Sequence, residues 1–231
     1  MIKIVSFKIC PFVQRVTALL EAKNLPYEIE YIQLKNKPQW FLDISPNGQV
    51  PVLVTESGTA LFESDAIVEY LEEVTTPLEA NVSAEQRAID RAWSYQASKH
   101  YLAQCSTMRS ADEATLLQRL GNLKKAFAKA ELQVAGPFFK GEQLSNVDIA
   151  WLPLLHRAHI IKRHTCFDML EGLPKVQTWQ QTLVATGLAE KSVEANFEDA
   201  FTGFYLSDET YLGAGRNCTE SVDACGTGNC C

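Results

Sequence analysis

Cys10, followed at once by Pro11 and Phe12, is the residue of this chain best suited to nucleophilic chemistry. Upstream, Ile2-Lys3-Ile4-Val5-Ser6-Phe7 alternates as a strand does, and downstream Val13, Val16, Leu19 and Leu20 recur at helical spacing. Proline suits the first position of a helix, where its missing N–H would find no partner, and this leaves Cys10 as the N-cap. A sulfur at that point faces unpaired backbone N–H groups and the positive end of the helix dipole. Both favour the thiolate, so the position predicts a thiol pKa below the roughly 8.5 of a free cysteine. A cysteine can instead pack as a small hydrophobe; the order strand, Cys, Pro, helix favours the nucleophile.

Val13 stands where a C-x-x-C pair would carry its second sulfur. The site is therefore monothiol, and a mixed disulfide formed on it must be resolved by an external thiol. Glutathione is the abundant candidate, which predicts a glutathione pocket. Tyr27-Glu28-Ile29-Glu30-Tyr31-Ile32 reads as a second strand, and Val52-Leu53-Val54 and Ala60-Leu61-Phe62 flank a Glu56-Ser57-Gly58 turn as a hairpin. Two strands around a helix, then a hairpin and another helix, make a thioredoxin-like α/β unit. Pro51 precedes the third strand: a cis Val50-Pro51 bond would present the Val50 backbone to a peptide ligand, and a trans proline at a strand start fits the sequence as well. Ser64 is expected to cap the helix bearing Ile67, Val68 and Leu71, with Glu63 before it. A helix N-terminus with Ser64 suits a carboxylate and Glu63 suits an ammonium, and the γ-glutamyl end of glutathione offers both.

The CPF at 10–12, the LKNKPQWF run at 34–41, the VPVL at 50–53 and the Glu63-Ser64 pair resemble the omega-class glutathione transferases in order and spacing. The resemblance is dense over 1–76 and thinner beyond. It implies that Cys10 forms the mixed disulfide with glutathione, that Phe12 shapes the cysteine pocket and that Lys37 pairs with the glycyl carboxylate. It further implies backbone pairing at Val50, with Glu63 and Ser64 holding the γ-glutamyl end, and a homodimer. A cysteine where conjugating members use Ser or Tyr favours thiol exchange and reduction. The expected function is a glutathione-dependent thiol transferase or reductase acting on a disulfide or a small electrophile such as dehydroascorbate. The alternative is a non-catalytic regulatory or binding module of the same fold.

The expected architecture is a thioredoxin-like domain over 1–76, an all-helical domain over 83–206 and a flexible tail over 207–231. Ser83 with Gln86 reads as a capping box opening a long helix towards Met108, and a second helix is expected over about 112–132. Ser145 with Asp148 reads as another box, staple residues Leu144 and Ile149 beside it; the run Leu-Ser-Asn-Val-Asp-Ile-Ala also resembles the box at the heart of the helical domain in glutathione transferases, which implies a folding role for Asp148 and not that of a catalytic acid. Two shorter helices are expected over 174–186 and 194–206. Trp93, Tyr95, Tyr101, Met108, Trp151 and His156 are candidates for lining a second-substrate cleft and are more often core. Trp179, Phe138 and Phe139 are expected to pack. His156, His159 and His164 lack acidic or cysteine partners at a convincing spacing, so no metal is expected.

With 231 residues, 46% of them apolar, the chain can bury a sizeable core. A net charge of −7 argues against a nucleic-acid-binding face. No apolar run is long enough to span a bilayer, the N-terminus lacks the pattern of a signal peptide, and seven unevenly placed cysteines fit a reducing compartment, so a cytoplasmic location away from membranes is expected.

Overall fold

The computed structural model describes residues 1–214. The alternating segments become strands β1 (Ile2–Ser6) and β2 (Tyr27–Tyr31) and the apolar arms of the hairpin β3 (Val52–Val54) and β4 (Ala60–Phe62), in the sheet order β2-β1-β3-β4. β1 pairs parallel with β2 and antiparallel with β3, and Ile4 lies opposite both Ile29 and Leu53. Strand periodicity then divides the central strand between two faces. Ile4 turns into the main core, whereas Val5 joins Ile32, Phe41 and Val52 in a small second cluster on the other face.

Helix α1 (Pro11–Ala22) follows β1, α2 (Gln39–Ile44) supplies Phe41 to the small cluster, and α3 (Ser64–Val74) follows the hairpin. The helices α4 (Ala84–Met108), α5 (Glu113–Glu131), α6 (Asn146–Thr165), α7 (Pro174–Ala185), α8 (Leu188–Lys191) and α9 (Phe197–Tyr205) complete the described chain. One apolar cluster runs from Val16 and Leu19 of α1 through Trp151 of α6 to Phe201 of α9, so the sheet unit and the helical unit share a core. α1 is the joint: apart from Phe12, its residues from Pro11 to Leu20 are all buried, as expected of a helix covered on every side. None of the helices among the described residues is long and apolar enough to cross a membrane.

Several local expectations shift by a residue or a partner. Glu63, not Ser64, is the N-cap of α3, and it adopts φ 67°. Ser83 caps α4 by accepting the Gln86 N–H, but the Gln86 side chain turns down the helix to Asp90 instead of closing the box. The short helices α2 and α8 went unpredicted because six and four residues are too few to show a period. The chain also stays packed past Ser207, correcting the early part of the expected tail. Leu212 and Thr210 are buried, and the Tyr211 N–H donates to Ser110 O at 2.8 Å. Residues 215–231 of that tail, with Cys218, Cys225, Cys230 and Cys231, lie outside the described residues.

Asp148 closes its capping box and does more. Its carboxylate accepts from the Ser145 N–H at 2.8 Å and hydroxyl at 2.6 Å, from the Phe139 N–H at 2.8 Å and from Trp179 Nε1 at 2.6 Å. Burial pushes its carboxyl above the usual carboxylate range against those four bonds. Trp179 also meets Trp151 and Phe139 ring to ring, so one side chain ties the α6 N-terminus to α7 and to the loop before α6. Asp148→Ala leaves four buried donors without an acceptor, and we expect it to lower unfolding free energy in urea titrations by about 3 kcal/mol or more. Any native fraction should keep the reactivity of Cys10.

Candidate active site

Cys10 sits at the α1 N-cap in extended conformation (φ −76°, ψ 122°), with Pro11 opening the helix. It lines a groove of about 330 Å³ together with Phe12, Lys37, Val50, Glu63 and Ser64. Six side chains singled out in sequence thus converge from four segments: the β1–α1 turn, the loop after β2, the approach to β3 and the start of α3. The Val50–Pro51 peptide is cis. Lys37 and Glu63 bring opposite charges to one groove; Ser64 is buried and Glu63 exposed. Glu63 bears a side chain at positive φ, an arrangement that costs about 1–3 kcal/mol and is retained where the surroundings impose it.

Those surroundings are specific. Buried Arg15 of α1 pairs with Asp65 of α3, and Ser98 of α4 donates to the same carboxylate at 3.4 Å. The first turn of α3 is thereby fixed against two helices, directly beside Glu63 and Ser64. Asn47, which the motif reading missed, also lines the groove and donates to Glu63 Oε1 at 3.2 Å. Leu102 of α4 closes the groove from the helical side. Of the other cleft candidates, Tyr101, Met108 and Trp151 are buried core, and Tyr101 meets Phe12 edge to face at 5.0 Å.

Behind the thiol lies a buried polar cluster. Arg157 of α6, 0% exposed, donates to Gln14 Oε1, to Pro153 O at 3.0 Å and to Ile9 O at 3.1 Å. An arginine can only donate, so Gln14 must turn its oxygen to Arg157 and its amide nitrogen to His156 Nδ1, 2.9 Å away. Nδ1 therefore accepts, and the His156 proton resides on Nε2. Burial, with Arg157 adding to it, pushes His156 down to about 3, so the ring is neutral at pH 7. His164 bonds instead to Glu198 at 2.6 Å, away from this cluster. Among the described residues no group of three or more His, Cys, Asp or Glu side chains could hold a metal ion.

The thiol itself reverses one expectation. Burial pushes Cys10 up to about 11, against the lowering effects of the Val13 and Phe12 N–H groups and of Arg157. The helix N-terminus acts as predicted, but the protein packed around the half-buried sulfur removes more hydration than the two N–H groups replace. Cys105 and Tyr101 on α4 and Tyr205 on α9 share this environment with Cys10 and Arg157.

Two family models match the chain: the glutathione S-transferase N-terminal domain over 9–74 and the glutathione S-transferase C-terminal domain over 85–186. The glutathione S-transferase omega-1 of Rattus norvegicus is 31% identical over 216 residues, which cover 90% of this chain and 87% of the rat protein. The probable cytosolic glutathione S-transferase DHAR1 of Oryza sativa subsp. japonica is 34% identical over 187 residues, covering 75% of this chain and 79% of the rice protein. The crystal structure of glutathione transferase Omega 3C from Trametes versicolor superposes with a TM-score of 0.72 at 26% identity, covering 83% of this chain and 88% of that one.

A thiol raised to about 11 is almost wholly protonated at neutral pH. Its alkylation rate by iodoacetamide should climb about tenfold per pH unit between pH 6 and 9, since the thiolate fraction does so below the pKa. Mass spectrometry of the Cys10 peptide checks this, and a plateau below pH 8 would show that the N–H groups outweigh burial.

Proposed function

The chain belongs to the glutathione S-transferase family, and on that premise we propose that it is an omega-type, glutathione-dependent thiol transferase or dehydroascorbate reductase working through Cys10. The observation that carries this reading is the convergence on one groove of a helix-capping cysteine with Lys37, Val50, Glu63 and Ser64. Glutathione carries an ammonium and a carboxylate at its γ-glutamyl end and a second carboxylate at its glycyl end. Glu63 takes the ammonium, Ser64 and the α3 N-terminus the adjacent carboxylate, and Lys37 the glycyl carboxylate. The Val50 backbone pairs with the middle of the tripeptide, and Phe12 shapes the wall by the sulfur.

In the exchange reaction the Cys10 thiolate attacks the glutathione sulfur of a mixed disulfide. The Cys10–glutathione bond forms and the acceptor leaves as its thiolate. A second glutathione, as thiolate, attacks that bond, releasing oxidised glutathione and restoring Cys10. With dehydroascorbate the thiolate adds to a carbonyl; glutathione attack on the resulting adduct then delivers two electrons to the leaving ascorbate and leaves Cys10 as the mixed disulfide. Glutathione is thus a cosubstrate, and no metal enters. A cytoplasmic homodimer is part of the same proposal, with sedimentation as its check.

Cys10→Ala should abolish thiol transfer from a glutathione mixed disulfide, and Cys10→Ser should gain at most weak conjugating activity; wild-type transfer by the alanine variant would remove the reading. A binding module of the same fold would be retained on immobilised glutathione and show no transfer. Glu63→Ala should raise KM for glutathione about ten- to a hundredfold, the worth of one charge-assisted hydrogen bond, with Cys10 alkylation unchanged. Lys37→Ala should act in the same direction more mildly, because a lysine near solvent is partly screened.

A further inference from the structure

Arg157 is a charged group that the binding and exchange steps above leave without a task. Its side chain is wholly buried, yet every hydrogen-bond partner it has among the described residues is a neutral oxygen: Gln14 Oε1, Pro153 O and Ile9 O. The centroid of the Phe197 ring lies 5.4 Å from the guanidinium carbon, and Nε has no acceptor among the described residues. No carboxylate pairs with it among the described residues. Burial disfavours its charge, but a guanidinium starts so far above neutrality that it keeps its proton inside proteins. Leaving a buried cation unneutralised is costly, and such an arrangement fits a site where an anion arises nearby.

The acids that face it come from three elements. Cys10 caps α1, Cys105 and Tyr101 come from α4, and Tyr205 comes from α9; on α6 itself the neighbouring His156 is neutral. Burial holds both tyrosines above their ordinary range. Of these groups Cys10 alone lines the groove shared by Lys37, Glu63 and Ser64, and it directly follows the residue whose carbonyl Arg157 grips.

We propose that Arg157 is the fixed countercharge of Cys10, a positioning residue that clamps the β1–α1 turn through the Ile9 carbonyl and stabilises the sulfur as a thiolate. The proposal rests on the reading of Cys10 as the nucleophile. It adds a source of activation outside the helix N-terminus, supplied by α6 in the helical part of the chain. Where burial works against ionisation, a charge in the same dry surroundings is little screened and counts for more than it would in water.

The test uses the full chain and the variants Arg157→Lys, Arg157→Gln and Arg157→Met. Each is treated with iodoacetamide at pH 8 and followed by mass spectrometry of the Cys10 peptide; the thiolate displaces iodide and forms a carbon–sulfur bond. Lysine keeps the charge but loses the planar fork, whereas glutamine keeps a donor amide and loses the charge. If Arg157 acts through charge, Arg157→Gln and Arg157→Met should react about tenfold or more slowly, and Arg157→Lys should stay within about threefold of wild type. A glutamine variant within threefold of wild type, or a lysine variant slowed as much as the glutamine one, would overturn the proposal. Circular dichroism confirms folding. Should neither neutral variant fold, the lysine variant decides: a rate within threefold supports the countercharge and a tenfold loss overturns it. Iodoacetamide needs no glutathione, so the outcome is separable from the functional reading. A wild-type protein lacking thiol transfer would end that reading, while the alkylation series would still judge Arg157.

Discussion

One hydrogen bond, from Arg157 to the carbonyl of Ile9, joins the two halves of this protein at the turn before α1. The Ile9 carbonyl belongs to the turn that leads into Cys10, and the arginine to the long buried stretch of α6. Because α1 is covered on every side, the polar groups of its first turn must be satisfied inside the protein. Arg157 meets Gln14 Oε1 at that end of the helix and Ile9 O just ahead of it, and Gln14 passes the constraint on to His156 and, at 3.3 Å, to Ser192 beyond α8. Thr17 donates to Ser192 O at 2.7 Å and extends the same seam. A buried cation with neutral partners costs several kcal/mol. The shared apolar core running from α1 to α9 offsets that cost and holds the cluster in one arrangement.

Burial and charge therefore compete at the sulfur. The core that fixes the β1–α1 turn is also what desolvates Cys10, and desolvation wins, raising the thiol to about 11. The helix N-terminus and Arg157 oppose it from two directions in surroundings where each is little screened. At the solvent side of the groove the balance differs. Glu63 is exposed and Lys37 half-buried, so their charges are screened by solvent and add little to stability. Rigidity there comes from the layer beneath, where Arg15 and Ser98 meet Asp65 and Asn47 steadies Glu63. The strained backbone of Glu63 fits the same pattern, with an unfavourable φ imposed by a well-held first turn of α3.

What could be read from the chain in isolation is what depends on near neighbours in sequence. Alternation located β1 and β2, the Glu56-Ser57-Gly58 turn located β3 and β4, Pro11 after Cys10 located the start of α1, and Ser145 with Asp148 located the start of α6, because strand period, turn and cap chemistry and capping boxes each act within a few residues. The motifs around Cys10, Lys37, Val50, Glu63 and Ser64 were legible for the same reason, and so was the family. Their meeting in one groove, the Asn47 contact and the placement of Cys105 beside the thiol were not. Arg157 left only a faint trace, a charge inside the apolar run Trp151-Leu152-Pro153-Leu154-Leu155 to Ile160-Ile161. Its partner Ile9 lies 148 residues away, and no local pattern encodes such a pairing. The direction of the Cys10 shift was misjudged on the same ground. A helix N-terminus is a local feature and visible in sequence, whereas desolvation sums over every atom packed around the sulfur and exists only once α1, α4, α6 and α9 have come together.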